Sequence, residues 1–176
     1  MRETLDTIGV YTWFVDFIAM VILLVFAWKD RRTSSSLIAL ATSVIAGGLM
    51  NQYTPYVLQS NNPASQNTIL FVWYLGFVAI DAAAMAVIYK CHLAFVVRYN
   101  FITKMVLLSI FIKAQLHLIR YGERIIWDTH YIKPLYTSGI SGINIATAAT
   151  AMLFVLAITI SRIRVAKGKR GLTWLI

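Results

Sequence analysis

The sequence is poor in charge, and in acidic residues above all, and it has a single cysteine. Only 13% of its 176 residues are charged, with 7 acidic against 16 basic side chains, and the one cysteine is Cys91. A soluble domain carries about a quarter of charged residues, so this composition is not that of a soluble protein. A single cysteine excludes a disulfide within the chain and a cysteine-based metal cluster.

Motifs for catalysis are also missing. We find no phosphate-binding glycine loop, no HExxH pair, and no serine or cysteine nucleophile with a base at a usable spacing. The histidines do not suggest haem, because His92 is expected on the cytoplasmic side while His117 and His130 are expected on the outer side, and a haem needs facing histidines at one depth. We therefore expect a protein that is not an enzyme, with no metal and no cofactor.

What the chain has in excess is apolar residues, and they come in long blocks. Hydrophobic residues make up 59% of the sequence and the mean hydropathy is +0.70. About 20 apolar residues cross the ~30 Å hydrocarbon layer as a helix. We predict an all-α fold in which residues 1–176 form one transmembrane bundle of five spans. The predicted spans are 8–28, 37–58, 68–89, 101–121 and 139–161, followed by a basic tail at 162–176.

The segments between these spans alternate in charge. KDRRTSSS, KCHLAFVVRYN and the tail SRIRVAKGKRGLTWLI are basic, whereas QSNNPASQN is uncharged and GERIIWDTHYIKPLYTS is mixed. Basic segments stay in the cytoplasm, which predicts an external N-terminus and a cytoplasmic C-terminus in a multi-pass plasma-membrane protein, the inner membrane if the source is bacterial. The uncharged part of the fourth span, MVLLSIFI, is short. Without that span, however, the basic tail would lie outside.

Several ionisable side chains fall inside the predicted spans, where burial is costly. Counted at 1.5 Å per residue from the outer ends, Asp16 and Lys113 both lie about 12 Å deep, so we expect them to be neighbours that pair with each other. Asp81 lies about 20 Å deep, where no basic residue is expected. A carboxyl group that can gain and lose a proton there suits a proton or cation pathway. The alternative is a protonated Asp81 that donates a hydrogen bond to a neighbouring helix.

The fourth span carries a basic stripe. Lys113, His117, Arg120 and Arg124 are spaced by four, three and four residues, which places them on one helix face. We interpret the stripe as the lining of a polar pocket that is open to the outside and narrows inward. For Arg120 and Arg124 the alternative is snorkelling to the outer interface. The predicted pore or pocket residues are Asp16, Asn51, Gln52, Tyr74, Asp81, Lys113, His117, Arg120 and Asn144.

Aromatic side chains are expected to mark the outer boundary of the membrane, because tryptophan and tyrosine favour that interface. The aromatic residues near this boundary are Trp13, Tyr53, Tyr56, Trp73, Trp127 and Tyr136.

Three functions fit this pattern. The first is an oligomeric channel or transport component, because several spans supply polar groups to one layer and five spans enclose little room, so that a path would form between subunits. The second is a non-catalytic membrane subunit or signalling partner. The third is a redox or lipid enzyme subunit, for which no chemistry is visible. Expected partners are the lipid bilayer and further copies or other membrane subunits, but not nucleic acid. The basic residues expected to contact anionic lipid or a partner are Arg162, Arg164, Lys167, Lys169 and Arg170.

Overall fold

Five α-helices make up the described chain, and each predicted span lies within one of them. The computed structural model describes the backbone of residues 2–29, 34–59 and 66–166, and the side chains of 11–25, 35–54 and 68–165. The all-α prediction is confirmed. The helices are α1 (Arg2–Lys29), α2 (Ser34–Gln59), α3 (Gln66–Ala94), α4 (Phe101–Ile125) and α5 (Lys133–Ala166).

Three of these helices are long and apolar enough to cross a membrane. They are the stretches Thr68–Ala94, Phe101–Ile125 and Lys133–Val165, and α1 adds a shorter apolar stretch at Tyr11–Val25. The fourth helix is among these three although its uncharged part is short. Most of its polar side chains are separated by apolar residues, so the helix as a whole remains apolar. The composition of the helices is that of a membrane protein.

The helices form a closed up-and-down bundle. Each helix packs against the next one in the chain, α1 also packs against α5, and α2 contacts α4 across the bundle. Successive helices therefore run in opposite directions. The first parts of α1, α3 and α5 share one end of the bundle with the last parts of α2 and α4.

Apolar side chains fill the half of the bundle that lies away from this end, and we call it the apolar half. Leu23, Leu40 and Ile88 are completely buried there, together with Val106 of α4 and Phe154 of α5. Lipid tails are as apolar as these side chains, so close packing rather than removal from water holds such a core together.

A buried hydrogen-bond network closes the far end of the apolar half. The Ser35 hydroxyl lies 2.8 Å from His92 Nε2 and 2.7 Å from Thr103 Oγ1, which joins the start of α2 to the end of α3 and the start of α4. His92 Nδ1 lies 2.7 Å from the Ile88 carbonyl oxygen. A carbonyl only accepts, so Nδ1 carries a proton and donates to Ile88.

Asn100 extends this network and starts α4. Its side-chain oxygen accepts the backbone N–H of Thr103 at 2.9 Å, as an N-cap residue does. Its amide group donates to the Ser36 hydroxyl at 2.5 Å. The ring of Tyr99 stacks on His92 with 4.4 Å between centroids. His92 is expected near the cytoplasmic side from the sequence, but neither its burial nor its partners follow from the sequence.

We expect Thr103→Val to lower the free energy of unfolding by about 1–3 kcal/mol, because Ser35 and Asn100 each lose a buried hydrogen-bond partner. The matched control is Thr150→Val, since the Thr150 hydroxyl donates to the Ala146 carbonyl of its own helix. Thermal unfolding of the purified protein in detergent measures both. Equal effects of the two substitutions would argue against a network that joins three helices.

Candidate functional site

A cavity of about 280 Å³ lies in the half of the bundle opposite the apolar half, and all five helices contribute to its wall. The alternating helix directions bring the first parts of α1, α3 and α5 to this end together with the last parts of α2 and α4. The wall consists of Thr12, Trp13, Asp16, Ser43, Gly47, Met50, Asn51, Thr54, Trp73, Phe77, Lys113, His117, Tyr136, Ile140 and Asn144.

Trp13 forms the wall where α1 meets α2. Its indole N–H donates to the Val44 carbonyl at 2.8 Å. Gly47 gives the ring its room, because a Cβ at this position would lie 3.0 Å from Trp13 Cδ1. Phe17 stacks against the ring with 5.7 Å between centroids. With its only donor already used, Trp13 offers the cavity an aromatic surface rather than a hydrogen bond.

His117 is held in place by aromatic neighbours. Its ring is buried and stacks on Phe77 with 5.0 Å between centroids. Its Nδ1 lies 3.0 Å from the Tyr136 hydroxyl. Tyr74, a predicted pocket residue, lies outside the wall and packs edge-on against Tyr136 at 6.0 Å between centroids. Tyr74 therefore supports the wall from behind.

Asp16 and Lys113 share the cavity without forming an ion pair. Asp16 Oδ1 is buried and has no hydrogen-bond partner within the described part of the chain. Lys113 is half-buried and within electrostatic range of Asp16. Asp16 and Lys113 do not come within the 4.0 Å that defines a salt bridge, whereas Arg120 and Glu123 do. The expected direct pairing is replaced by a shared cavity, because α1 and α4 are not packed against each other and the cavity lies between them.

Asp81 lies one helical turn beyond Phe77, below the cavity rather than in its wall. It is 1% exposed, and neither carboxylate oxygen has a hydrogen-bond partner among the described residues. Lys113 and Tyr136 are within its electrostatic range. The expectation that no basic residue reaches Asp81 is thus corrected: Lys113 is on α4, which packs closely along α3.

Arg120 neither lines the cavity nor snorkels to the interface. It is 4% exposed and forms an ion pair with Glu123, three residues further along α4. Glu123 Oε1 also accepts the backbone N–H of Ile132 at 2.6 Å, so the pair ties the end of α4 to the segment before α5. Arg124 differs from Arg120, since it contacts the exposed His130 at 3.1 Å. Glu123 was missed from the sequence, although its spacing of three from Arg120 is typical of a helical ion pair.

The remaining predicted residues divide into three groups. Asn51 and Asn144 lie in the wall, whereas Gln52 lies outside it, because one step along a helix turns a side chain by about 100°. Arg162 and Arg164 lie near the end of α5, with Arg164 exposed. The predicted contact residues Lys167, Lys169 and Arg170 lie outside the described residues.

The aromatic residues predicted at the outer interface fall into two groups. Trp127 is 64% exposed, as an interface residue would be. Trp13, Trp73 and Tyr136 instead form part of the cavity wall. Trp127 follows the end of α4, whereas the other three rings stand on α1, α3 and α5 and contribute to the wall.

No family model, no curated protein and no solved structure matches this chain. Within the described residues, no group of three or more histidine, cysteine, aspartate or glutamate side chains is placed to hold a metal ion. The site is therefore defined by its own geometry. It is a small cavity with an unpaired carboxylate, a lysine, two asparagines and aromatic walls.

The ion pair and the cavity charges should behave differently when mutated. Arg120→Met or Glu123→Leu alone should each destabilise the fold, because one partner of the ion pair is left without its opposite charge, while the double substitution should cost less than the sum of the two. The control cycle is Asp16→Asn with Lys113→Met, for which we expect weaker coupling because no direct pair exists. Thermal unfolding in detergent provides the free energies. Additive effects at Arg120 and Glu123 would contradict the buried pair.

Proposed function

We propose that this chain is a multi-pass plasma-membrane protein that works, without enzymatic activity, as a channel or transport component for a small polar solute. In a bacterial cell the membrane would be the inner one. The proposal includes five spans, an external N-terminus and a cytoplasmic C-terminus. Its support is the alternation of basic segments together with the up-and-down packing of all five helices.

The observation that carries the proposal is the cavity with its two unpaired charges. Charged side chains inside a membrane bundle are costly unless they are paired or face water or a ligand. Asp16 and Lys113 are near enough to influence each other but are not joined, and helices from every part of the chain surround them. A purely structural role would favour a direct ion pair, whereas separated charges around a cavity suit binding.

The apolar half below the cavity acts as a barrier in this proposal. Its buried core includes the apolar side chains of Leu23, Leu40 and Ile88, so in this proposal a polar solute that enters from the outside stops near the level of Lys113. Passage then requires a rearrangement of the helices or a path between copies of the chain. Most membrane and soluble oligomers of one chain are symmetric, and a symmetry axis is where such a path would form.

Asp81 is the group we assign to proton movement in this function. It lies between the cavity and the apolar half, and both of its oxygens are buried without a partner among the described residues. The charged or titratable groups that reach it are Lys113 from α4 and Tyr136 from α5. An isolated carboxyl group in this position can take up and release a proton as the solute moves.

The orientation can be tested with the single native cysteine removed. In a Cys91→Ser background, Tyr131→Cys and Phe95→Cys introduce thiols at positions that are 88% and 69% exposed, at opposite ends of the bundle. A membrane-impermeant maleimide should label Tyr131→Cys in intact cells and Phe95→Cys only after permeabilisation. The reverse pattern would overturn the orientation, and labelling of both in intact cells would overturn the up-and-down topology.

Transport can be tested by proton entry into liposomes that contain the purified protein and a pH-sensitive dye, with a mixture of small organic and inorganic solutes outside. We expect faster entry than in protein-free liposomes, and Asp81→Asn should slow it by at least about tenfold, because an amide cannot carry a proton. Asp128→Asn is the control, since Asp128 is an exposed carboxylate outside the helices. Wild-type rates for Asp81→Asn would make Asp81 structural, and no entry with the wild type would overturn the transport proposal.

A further inference from the structure

The cavity holds one negative and one positive side chain that are not paired with each other, and aromatic rings form much of its wall. We propose that the ligand of this cavity is a small organic zwitterion, with its cationic nitrogen at Asp16 and its anionic group at Lys113. This inference rests on the proposed function, in which the cavity binds a solute, and it names the chemical class of that solute.

Asp16 supplies the site for the cationic end. Asp16 lines the cavity, and its buried Oδ1 atom has no hydrogen-bond partner among the described residues, so the protein leaves this carboxylate without a donor of its own at that oxygen. Trp13 lies three residues earlier on the same helix face and is part of the same wall. An aromatic ring attracts a cation placed near its face, most strongly when the surroundings are dry. A carboxylate beside aromatic rings is therefore suited to an ammonium group.

Lys113 supplies the site for the anionic end. The other basic groups on this face of α4 are already engaged, since His117 contacts Tyr136 and Arg120 pairs with Glu123. Lys113 is half-buried in the wall and makes no ion pair within the described part of the chain. It is therefore the cation of the cavity that is available for a carboxylate or a similar anionic group.

The balance of charge favours a zwitterion over a simple cation or anion. A cationic ligand would meet the repulsion of Lys113, and an anionic ligand would meet that of Asp16 and of Asp81 below it. A ligand that carries both charges meets an opposite charge at each end. The two charged side chains stand on α1 and α4, helices that lie across the cavity from each other, so the ligand would bridge the gap that keeps them from pairing.

The size of the cavity limits the ligand. Its volume of about 280 Å³ lies just below the range of small-molecule sites, which runs from about 300 to 1,000 Å³. A free amino acid or a betaine is of the right scale, whereas a nucleotide or a membrane lipid is too large. Asn51 and Asn144 add amide groups that can donate to a carboxylate or accept from an ammonium group.

The test uses the purified protein in lipid nanodiscs and measures binding by calorimetry and by tryptophan fluorescence, since Trp13 and Trp73 lie in the wall. The probes are the free L-amino acids and glycine betaine, and for each amino acid its amide and its N-acetyl derivative, which block the anionic and the cationic group in turn. At least one zwitterion should bind roughly tenfold or more tightly than both of its blocked forms, as expected when one charged contact is lost.

Two cavity variants and two matched controls test which charged group of the ligand binds to Asp16 and which binds to Lys113. Asp16→Asn should remove the preference for the zwitterion over the N-acetyl form, and Lys113→Met should remove the preference over the amide. Asp128→Asn and Lys133→Met change exposed charges of the same kinds outside the wall and should bind as the wild type does. The comparison of each zwitterion with its two blocked forms is made on the wild-type protein. It therefore tests the inference even if a cavity variant does not fold.

The other outcomes overturn either the inference or the transport proposal. An amide that binds as tightly as its zwitterion would show a cation site, and an N-acetyl form that does so would show an anion site. If no zwitterion binds while proton entry into liposomes is observed, the ligand class is wrong and the transport proposal stands. If a zwitterion binds as described but no transport is found, the inference stands and the cavity belongs to a binding protein rather than a transporter.

Discussion

Polar side chains buried between membrane helices have only one another, or a bound molecule, as partners, and this bundle meets that constraint differently at its two ends. At the end of the apolar half, Ser35, His92, Asn100 and Thr103 satisfy each other within a closed network. At the opposite end, Asp16 and Asp81 keep buried oxygens without partners in the described chain. A satisfied network holds helices together, whereas unsatisfied groups around a cavity are ready to bind.

The sequence predicted the helices well because lipid imposes a simple rule on their length and composition. All five predicted spans lie inside observed helices. The sequence also drew attention to the right face of α4, since the spacing of Lys113, His117 and Arg120 places them together. Counting residues from the ends of the spans gives the depth of a side chain, but not the direction in which it points or the distance over which it acts. It paired Asp16 directly with Lys113 and left Asp81 isolated, because it contains no information on which helices are neighbours across the bundle.

The residues that the sequence analysis missed share a physical reason. Glu123, His92 and Thr103 are polar side chains near helix ends, where exposure to water is the ordinary expectation, yet all three are buried. Their burial follows from partners that are distant in the sequence or from a loop that folds back, as Ile132 does onto Glu123. The i,i+3 spacing of Arg120 and Glu123 was the one local signal. Nothing in the sequence marks Ser35 as the partner of His92.

Lys113 connects the two parts of the proposed mechanism. It stands in the cavity wall, where it faces the proposed anionic end of a ligand, and it is within electrostatic range of Asp81 below. Asp81 and the ligand therefore compete for the same positive charge. A ligand anion at Lys113 makes a charged Asp81 less favourable, and a proton on Asp81 leaves Lys113 free for the ligand. Linkage requires that each event favours the other by the same factor, so one lysine between two anionic groups is sufficient to couple solute binding to proton uptake.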